Sequence, residues 1–417
     1  MKFLKNTDSQ IAKLVKQETQ RQAETLMLIP SENYASKAVE QAVGASLGNK
    51  YAEGYPKKRY YQGQDFVDQV ELLAINRAKK LFAVPHANVQ PYSGSPANSA
   101  IYFALLNPGD KIMGLTLSHG GHLTHGHPKV TFSGIFYQSV QYSVNKNGVI
   151  DYNQLAKFAQ KHQPQIIVAG TTAYPRILDF KKFAAIADSV GAYLMADVSH
   201  IAGLIVAGSH PSPTRYAHVI MTTTHKTLRG PRGAMILVTD KGLNKDSHLA
   251  KKIDKAIFPG LQGGPHINTI AGIAVALKEA STARFKQYGQ QIIKNALSLA
   301  QTLINNGLDI VTNGTDNHLM VADLRTLKVK GKNGAILLEK AGIVVNYNTI
   351  PYDPSPPFNP SGIRLGTPAV TSRNMKESQM KLIGNLITQT LKKQKTATVV
   401  AKEVKALCKR FPIPDKY

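Results

Sequence analysis

YLMADVSHIAGLIVAGSHPSPTRYAHVIMTTTHKTLRGPRGAMILVTD, residues 193–240, is the stretch that decides the fold. Its apolar and β-branched runs, YLMAD, HVIMTTT and AMILV, have the length of strands and are separated by Gly and Pro punctuation. The same rhythm reaches back to residue 88, where ANVQP, KIMGL, IFYQSVQY and QIIVAGT read as strands. SPANSAIYFALL and DFKKFAAIADSVG, lying between them, read as helices. Strands alternating with helices predict an α/β domain built on a mostly parallel, seven-stranded sheet.

Working outward, DFVDQVELLAINRAKKLF (65–82) has the three- and four-residue apolar spacing of a helix. Residues 1–25 read as a helical arm, and the tyrosine- and glycine-rich stretch 28–64 is too irregular for one element. After FPGLQGGPH (258–266) come two long helical stretches, short strands DIVT and HLMVADL, a helix NGAILLEKAG and a strand IVVNY. IPYDPSPPFNPSGIRLG reads as a proline-rich loop, and LKKQKTATVVAKEVKALCKR (391–410) as a basic amphipathic terminal helix. These patterns predict an arm over 1–25, a large domain over 26–280 and a smaller α+β domain over 281–417.

The 417-residue chain is long enough for two cores, and its apolar runs are too short for a membrane-spanning helix. The N-terminus lacks the apolar centre and cleavage site of a secretory signal. A single cysteine, Cys408, excludes an intramolecular disulfide and fits a reducing compartment, so a cytoplasmic protein is expected. Lys and Arg (51) outnumber Asp and Glu (26), a net charge of +25 that attracts anionic metabolites. The basic residues are spread along the chain without a nucleic-acid-binding motif, so a nucleic-acid partner is not expected.

The chemistry centres on Lys226, just past HVIMTTT, and Asp197, which ends YLMAD. A lysine amine that condenses with an aldehyde, beside a carboxylate that keeps a pyridine nitrogen protonated, is what a pyridoxal phosphate enzyme requires. Ser93, Gly94 and Ser95 precede a helix, where free backbone N–H groups and hydroxyls can cradle a phosphate. Gly263 and Gly264 let backbone approach a second phosphate edge. SHGGHLTHGHP holds His119, His122, His125 and His127; it has no Cys or carboxylate and no fixed helical face, so no metal is expected. An imidazole from that run can stack on a cofactor ring. His200, three residues past Asp197, can reach the same pocket, and Arg364 offers a fork for a carboxylate. Glu53, among Tyr51, Tyr60 and Tyr61, is a candidate for proton transfer.

SENYAS, NKYAEGYPKKRYYQG, ANVQPYSGSPAN, SHGGHLTHG, ADVSHIAGL, TTTHKTLRGPRG, FPGLQGGPH and SGIRLGTPA follow one another as the signature segments of the serine hydroxymethyltransferase family do. The resemblance covers nearly the whole chain, and TTTHKTLRGPRG is specific to that family. It implies a fold type I pyridoxal phosphate transferase that converts L-serine and tetrahydrofolate reversibly to glycine and 5,10-methylenetetrahydrofolate. It implies that Lys226 holds the cofactor, Asp197 pairs with its ring nitrogen and His122 stacks on it. Ser93, Gly94, Ser95, Thr223, Arg232 and Tyr51 join them in cofactor binding, and Gly263 and Gly264 come from the other subunit of a homodimer, or of a tetramer of such dimers. Arg364 binds the amino-acid carboxylate with Ser31 and His200 nearby, Glu53 is the acid/base, and Tyr60 and Tyr61 line the site. Leu117, Gly121 and Asn348 fall where the folate pterin binds. Thr172 replaces a serine beside the cofactor's phenolic oxygen, and Tyr347 stands where other members carry lysine. A pyridoxal phosphate aldolase acting on threonine without folate is the alternative reading.

Overall fold

The structure, a computed structural model, describes residues 2–415; Met1 of the expected arm and Lys416 and Tyr417 of the expected C-terminal domain lie outside the described residues. The seven predicted strands are all present: β1 His86–Asn88, β2 Lys111–Leu115, β3 Gln138–Tyr142, β4 Ile166–Gly170, β5 Tyr193–Asp197, β6 Val219–Thr223 and β7 Ala234–Val238. They form one sheet in the order β1-β7-β6-β5-β4-β2-β3. Only β7 runs antiparallel to its neighbours. β4, β6 and β7 are buried along their whole length, which is why they read as continuous apolar runs rather than alternating ones.

This topology brings the chemistry together. In open α/β sheets, ligands settle at the carboxyl ends of parallel strands. Asp197 is the last residue of β5 and Lys226 follows the end of β6, and β5 and β6 are hydrogen-bonded neighbours. The helix Gly94–Leu105 begins at the same edge.

The helical arm is Lys2–Thr7 and Ser9–Glu24, with the Asp8 carboxylate capping the second. The helix Asp65–Phe82 has the predicted limits. Leu26–Met27 pairs in parallel with Ile343–Val344, and Leu26 and Leu28 sit in the C-terminal apolar core. That core draws on the 23-residue helix Ala283–Asn305 from Ala296 onward, whereas Ile292 of the same helix belongs to the core around the large sheet.

Four local readings are corrected. IVVNY divides between Ile343–Val344, paired with the N-terminal segment, and β10 Asn346–Asn348 of a second sheet. That sheet also holds β8 Asp309–Ile310, β9 Leu319–Asp323 and β11 Gly362–Gly366, in the order β8-β9-β11-β10. The segment after the prolines is therefore strand β11, with Arg364 at its centre opposite Val321 and Asn346, not part of a loop. Its two flanking glycines concealed it, because glycine weakens a strand signal. The basic stretch 391–410 is not one helix: Glu377–Leu391 stops, Lys393 turns at φ 56°, and Ala397–Arg410 restarts behind a Thr396 cap. Ile135 and Phe136 of IFYQSVQY close a short helix before β3. Among the described residues no helix is long and apolar enough to cross a membrane.

Candidate active site

Lys226 Nζ donates to Thr223 Oγ1 at 2.9 Å. Burial lowers its pKa to about 8; the Asp197 charge opposes that shift, and Arg364 and Arg232 add to it. Thr223 also meets the head of the helix Gly94–Leu105, since a Cβ on Gly94 would lie 2.7 Å from its methyl group. Only glycine fits there, and Thr223 links the lysine directly to the helix N-terminus. Ser93 stands at the N-cap position with an extended backbone, yet its hydroxyl makes no capping bond. An ordinary serine cap would use it. The predicted phosphate cradle thus presents hydroxyls beside first-turn N–H groups, one contact from the lysine.

Asp197 is buried and its carboxylate is crowded with donors. Oδ2 receives His125 Nε2 at 2.8 Å and Asn98 Nδ2 at 3.1 Å. Oδ1 receives the Ser199 hydroxyl at 2.6 Å and the Ser199 N–H at 3.1 Å. Burial pushes this carboxyl upward, but the His125 and Ser199 contacts outweigh it and hold the group well below the usual carboxylate range. Gly170 makes this geometry possible: a Cβ there would fall 2.7 Å from Asp197 Cβ and 2.8 Å from His125 Cε1. In sequence His125 is only one of four histidines; its pairing with Asp197 joins residues 72 apart, which no local pattern reveals.

His122 Nδ1 lies 2.7 Å from Thr124 Oγ1, and its ring is 5.5 Å from that of His125. Burial lowers its pKa to about 4, so it is a neutral ring at physiological pH. His200 pairs through Nδ1 with Nε2 of His318 at 3.2 Å, and burial drives the His200 pKa well down. His318, also buried and lowered to about 3, had no predicted role. Arg364 Nη1 donates to the Thr172 carbonyl at 2.6 Å and Nε to Asn346 Oδ1 at 3.0 Å. Two fixed acceptors aim this guanidinium, and burial lowers its pKa to about 10. The Thr172 hydroxyl donates to the Gly121 carbonyl at 2.8 Å, so its proton is committed there. Leu117, Gly121 and Asn348 are brought near one another by a bond from Thr349 to the Ser118 carbonyl at 3.0 Å. Tyr347 is partly exposed on β10. Ser31 is half-buried and Arg232 exposed.

The remaining predicted residues form a separate group. Gly54 turns at φ 94° in a hairpin where a Cβ would strike the Lys58 carbonyl. Arg59 crosses beneath it, bonding Asp68, Glu71 and the carbonyls of Ala52 and Gly54. Glu53 is fixed between those carbonyls, with its Oε1 3.3 Å from where a Gly263 Cβ would lie. Gly264 faces the Tyr51 ring, which meets Tyr61 edge-on at 5.2 Å; Tyr60 leans on Phe258. Tyr51, Tyr60 and Tyr61 are exposed, Tyr60 at 72 %. Within one chain this group makes no bond to Lys226, Asp197 or Arg364.

The donor set fits pyridoxal phosphate: an amine, a fixed anion and a neutral imidazole lie within electrostatic reach of one another, beside a helix N-terminus. Among the described residues no group of three or more His, Cys, Asp or Glu side chains could share a metal ion. A family model described as serine hydroxymethyltransferase matches residues 4–387. The serine hydroxymethyltransferase of Desulfotalea psychrophila is 53% identical over 417 residues, covering 99% of this chain and 96% of that protein. That of Acidothermus cellulolyticus is 54% identical over 418 residues, covering 98% and 96%.

Proposed function

The chain belongs to the serine hydroxymethyltransferase family, and we propose that its pocket carries out that family's reaction with the residues placed above. The enzyme converts L-serine and tetrahydrofolate reversibly to glycine and 5,10-methylenetetrahydrofolate, with pyridoxal phosphate as cofactor. Membership favours this activity over that of a folate-independent aldolase. The reading rests above all on Lys226, just past the strand next to Asp197, bonding the hydroxyl of Thr223, whose methyl group abuts the Gly94 helix head.

When bound, pyridoxal phosphate supplies an electron sink for the pair left on the amino acid's α-carbon. Lys226 Nζ would hold its aldehyde carbon; with a pKa of about 8, a useful share of the amine is neutral and nucleophilic near neutral pH. Asp197, held ionised, keeps the proton on the ring nitrogen. His122, a neutral imidazole, would pack against the ring. Ser93, Gly94 and Ser95 would hold the phosphate, together with Thr223 and Arg232. Arg364 takes the serine carboxylate in its fork and so orients the bond to be broken, with Ser31 and His200 beside it. The Thr172 carbonyl serves by aiming Arg364. Leu117, Gly121 and Asn348 offer the folate surface, with Tyr347 at its rim.

Glu53 moves a proton at the serine hydroxyl oxygen. It stands apart from Lys226 within one chain, which supports a homodimer, alone or paired into a tetramer, in which Glu53, Tyr51, Tyr60, Tyr61, Gly263 and Gly264 complete the partner's pocket. The exposed tyrosines are what such an interface would cover. A division of labour near residue 280, a cytoplasmic setting and a place in one-carbon metabolism complete the proposal.

Borohydride reduction of the holoenzyme followed by peptide mapping tests it. The label should fall on Lys226, and Lys226→Ala should abolish it. A label on another lysine overturns the site. Unchanged serine cleavage without tetrahydrofolate would instead favour the aldolase.

A further inference from the structure

His200 follows β5 of the large sheet, and His318 stands immediately before β9 of the second sheet. His200 Nδ1 lies 3.2 Å from His318 Nε2, with the ring centres 5.4 Å apart, and both side chains are buried. A bond between two neutral imidazoles needs one N–H and one lone pair, so the contact decides where each ring carries its proton. Burial keeps both rings neutral. Lys226, Arg364 and His122 around His200, and Arg364, His210 and Lys226 around His318, disfavour a further positive charge.

Two arrangements satisfy the contact. If His200 donates, His318 carries its proton on Nδ1, an atom buried without a hydrogen-bond partner among the described residues. If His318 donates from Nε2, its Nδ1 holds only a lone pair and His200 Nδ1 accepts. A buried donor without an acceptor is the less tolerated defect, so the second arrangement prevails. His200 is then protonated on Nε2, an atom with no hydrogen bond among the described residues.

Both histidines are held by their backbones. The His200 carbonyl accepts the Thr227 hydroxyl at 3.2 Å, and the Lys226 carbonyl next to Thr227 accepts Asn33 Nδ2 at 2.9 Å. The His318 carbonyl accepts the Thr367 N–H at 3.0 Å, and Asn317 donates to the Tyr174 carbonyl at 3.0 Å. Tyr174 lies two residues past Thr172, whose carbonyl aims Arg364. Pairing of β9 with β11 sets Leu319 opposite Gly366 and Val321 opposite Arg364, so one sheet carries both His318 and the guanidinium.

We propose that His318 is a positioning residue: its Nε2–H bond to His200 places the His200 proton on Nε2, where it donates to the carboxylate of the bound amino acid beside the Arg364 fork. The inference rests on the serine-binding role proposed above for Arg364 and His200.

NMR of the holoenzyme, isotopically labelled in its histidine ring nitrogens, tests it, because protonated and bare ring nitrogens resonate far apart. His200, identified by the signals lost in His200→Gln, should show a bare Nδ1 and a protonated Nε2. In parallel, glycine is titrated into the holoenzyme and followed by the cofactor's visible absorbance. His318→Phe should weaken glycine binding about tenfold, and His318→Gln, whose amide can replace the Nε2–H donor, should recover most of the loss. In a His200→Phe background, His318→Phe should change glycine affinity by less than about twofold, because its effect runs through His200; a merely structural role would add its loss in both backgrounds. A protonated Nδ1 on His200 overturns the proposal, as do equal losses in the two backgrounds or unchanged glycine affinity in folded His318→Phe. If His318→Phe does not fold, the parent spectrum decides. Borohydride labelling of Lys226 in the same preparations reports on the proposed reaction separately, so failure of one is distinct from failure of the other.

Discussion

Replacing His125 by phenylalanine removes one donor from Asp197 while keeping an aromatic ring in a fully packed space. The bond lost is Nε2 to Oδ2 at 2.8 Å, with the histidine only 1 % exposed. A hydrogen bond to a charged group is worth ~1.5–3 kcal/mol net. At 1.36 kcal/mol per unit, the Asp197 pKa should rise by about one to two units. Asn98 and both Ser199 donors remain, and the starting value lies far below the carboxylate range, so Asp197 stays ionised at neutral pH. The sign follows from a depressed carboxyl: its contribution is present at neutral pH and is lost as pH falls through the folded pKa. Cofactor affinity at pH 7.5 should therefore drop only modestly, about tenfold, while the acid edge of cofactor binding moves up by about one to two pH units. Absorbance titration of the apoenzyme with pyridoxal phosphate at pH 7.5 measures the affinity, and the same titration carried from pH 5 down to pH 2 follows the acid edge. His125→Gln, which restores a neutral donor, should return part of the shift. Superimposable acid edges for parent and His125→Phe would refute the claim that His125 sets the charge on Asp197. Complete loss of binding at neutral pH in a folded variant would refute the magnitude.

Other substitutions probe other parts of the structure. In the apoprotein Lys226 is a buried amine with a pKa of about 8 against 10.5 when free, so the unfolded chain binds more protons between those values. Stability should rise with pH through that window, and Lys226→Met should remove the rise and gain about 3 kcal/mol at pH 7 in urea unfolding; a pH-independent difference would contradict the assignment. Arg364→Lys exchanges a fork held by Thr172 and Asn346 for a point charge, and KM for serine should rise ~30- to 100-fold with the cofactor's absorbance unchanged. An unchanged KM would remove Arg364 from the carboxylate site. Arg373, 1 % exposed, donates to the carbonyls of Gln22, Ala23, Thr25, Cys408 and Phe411, at the ends of two helices. Arg373→Met leaves those carbonyls unmet and should cost about 3–5 kcal/mol in denaturant unfolding; a cost below about 1 kcal/mol would mean that solvent replaces it.

The parts of this molecule legible in sequence are those encoded locally. Strands such as IIVAG and AMILV are apolar throughout because both faces are buried, and the helix Asp65–Phe82 carries its spacing along its own length. The helix Tyr152–His162 is not apparent in the sequence, although Asp151 caps it, because a polar outer face dilutes its apolar stripe. Strand β11 was hidden by short length and flanking glycines, and its place was fixed by pairing with Leu319–Asp323, some forty residues earlier. The site divides in the same way. Lys226, Asp197 and Ser93 could be named from neighbouring residues, whereas His125, His318 and Asn33 act through contacts across long stretches of chain. Motif resemblance supplied the roles of Glu53 and the glycine pair, which geometry within one chain does not connect to the lysine.

Asp197 and Lys226 also show how one buried setting produces two opposite groups. Burial penalises the charged form of each. Asp197 escapes the penalty because four donors converge on two oxygens, and protonation would remove the charge that strengthens each of these bonds. Lys226 meets a single neutral hydroxyl, and the nearby Arg364 and Arg232 charges work against its ammonium. The outcome is one anion that cannot be neutralised under working conditions and one cation that gives up its proton near neutral pH. That asymmetry is set by the number of partners, not by depth. It is what a pyridoxal phosphate site needs, since the ring nitrogen must stay protonated while the amine that holds the aldehyde must be free to react. Adding a carboxylate beside Lys226, as Thr223→Asp would, should raise the amine's pKa and slow its reaction with added pyridoxal phosphate at pH 7 far more than at pH 10. Equal slowing at both values would mean that the lysine's charge state does not limit capture of the cofactor.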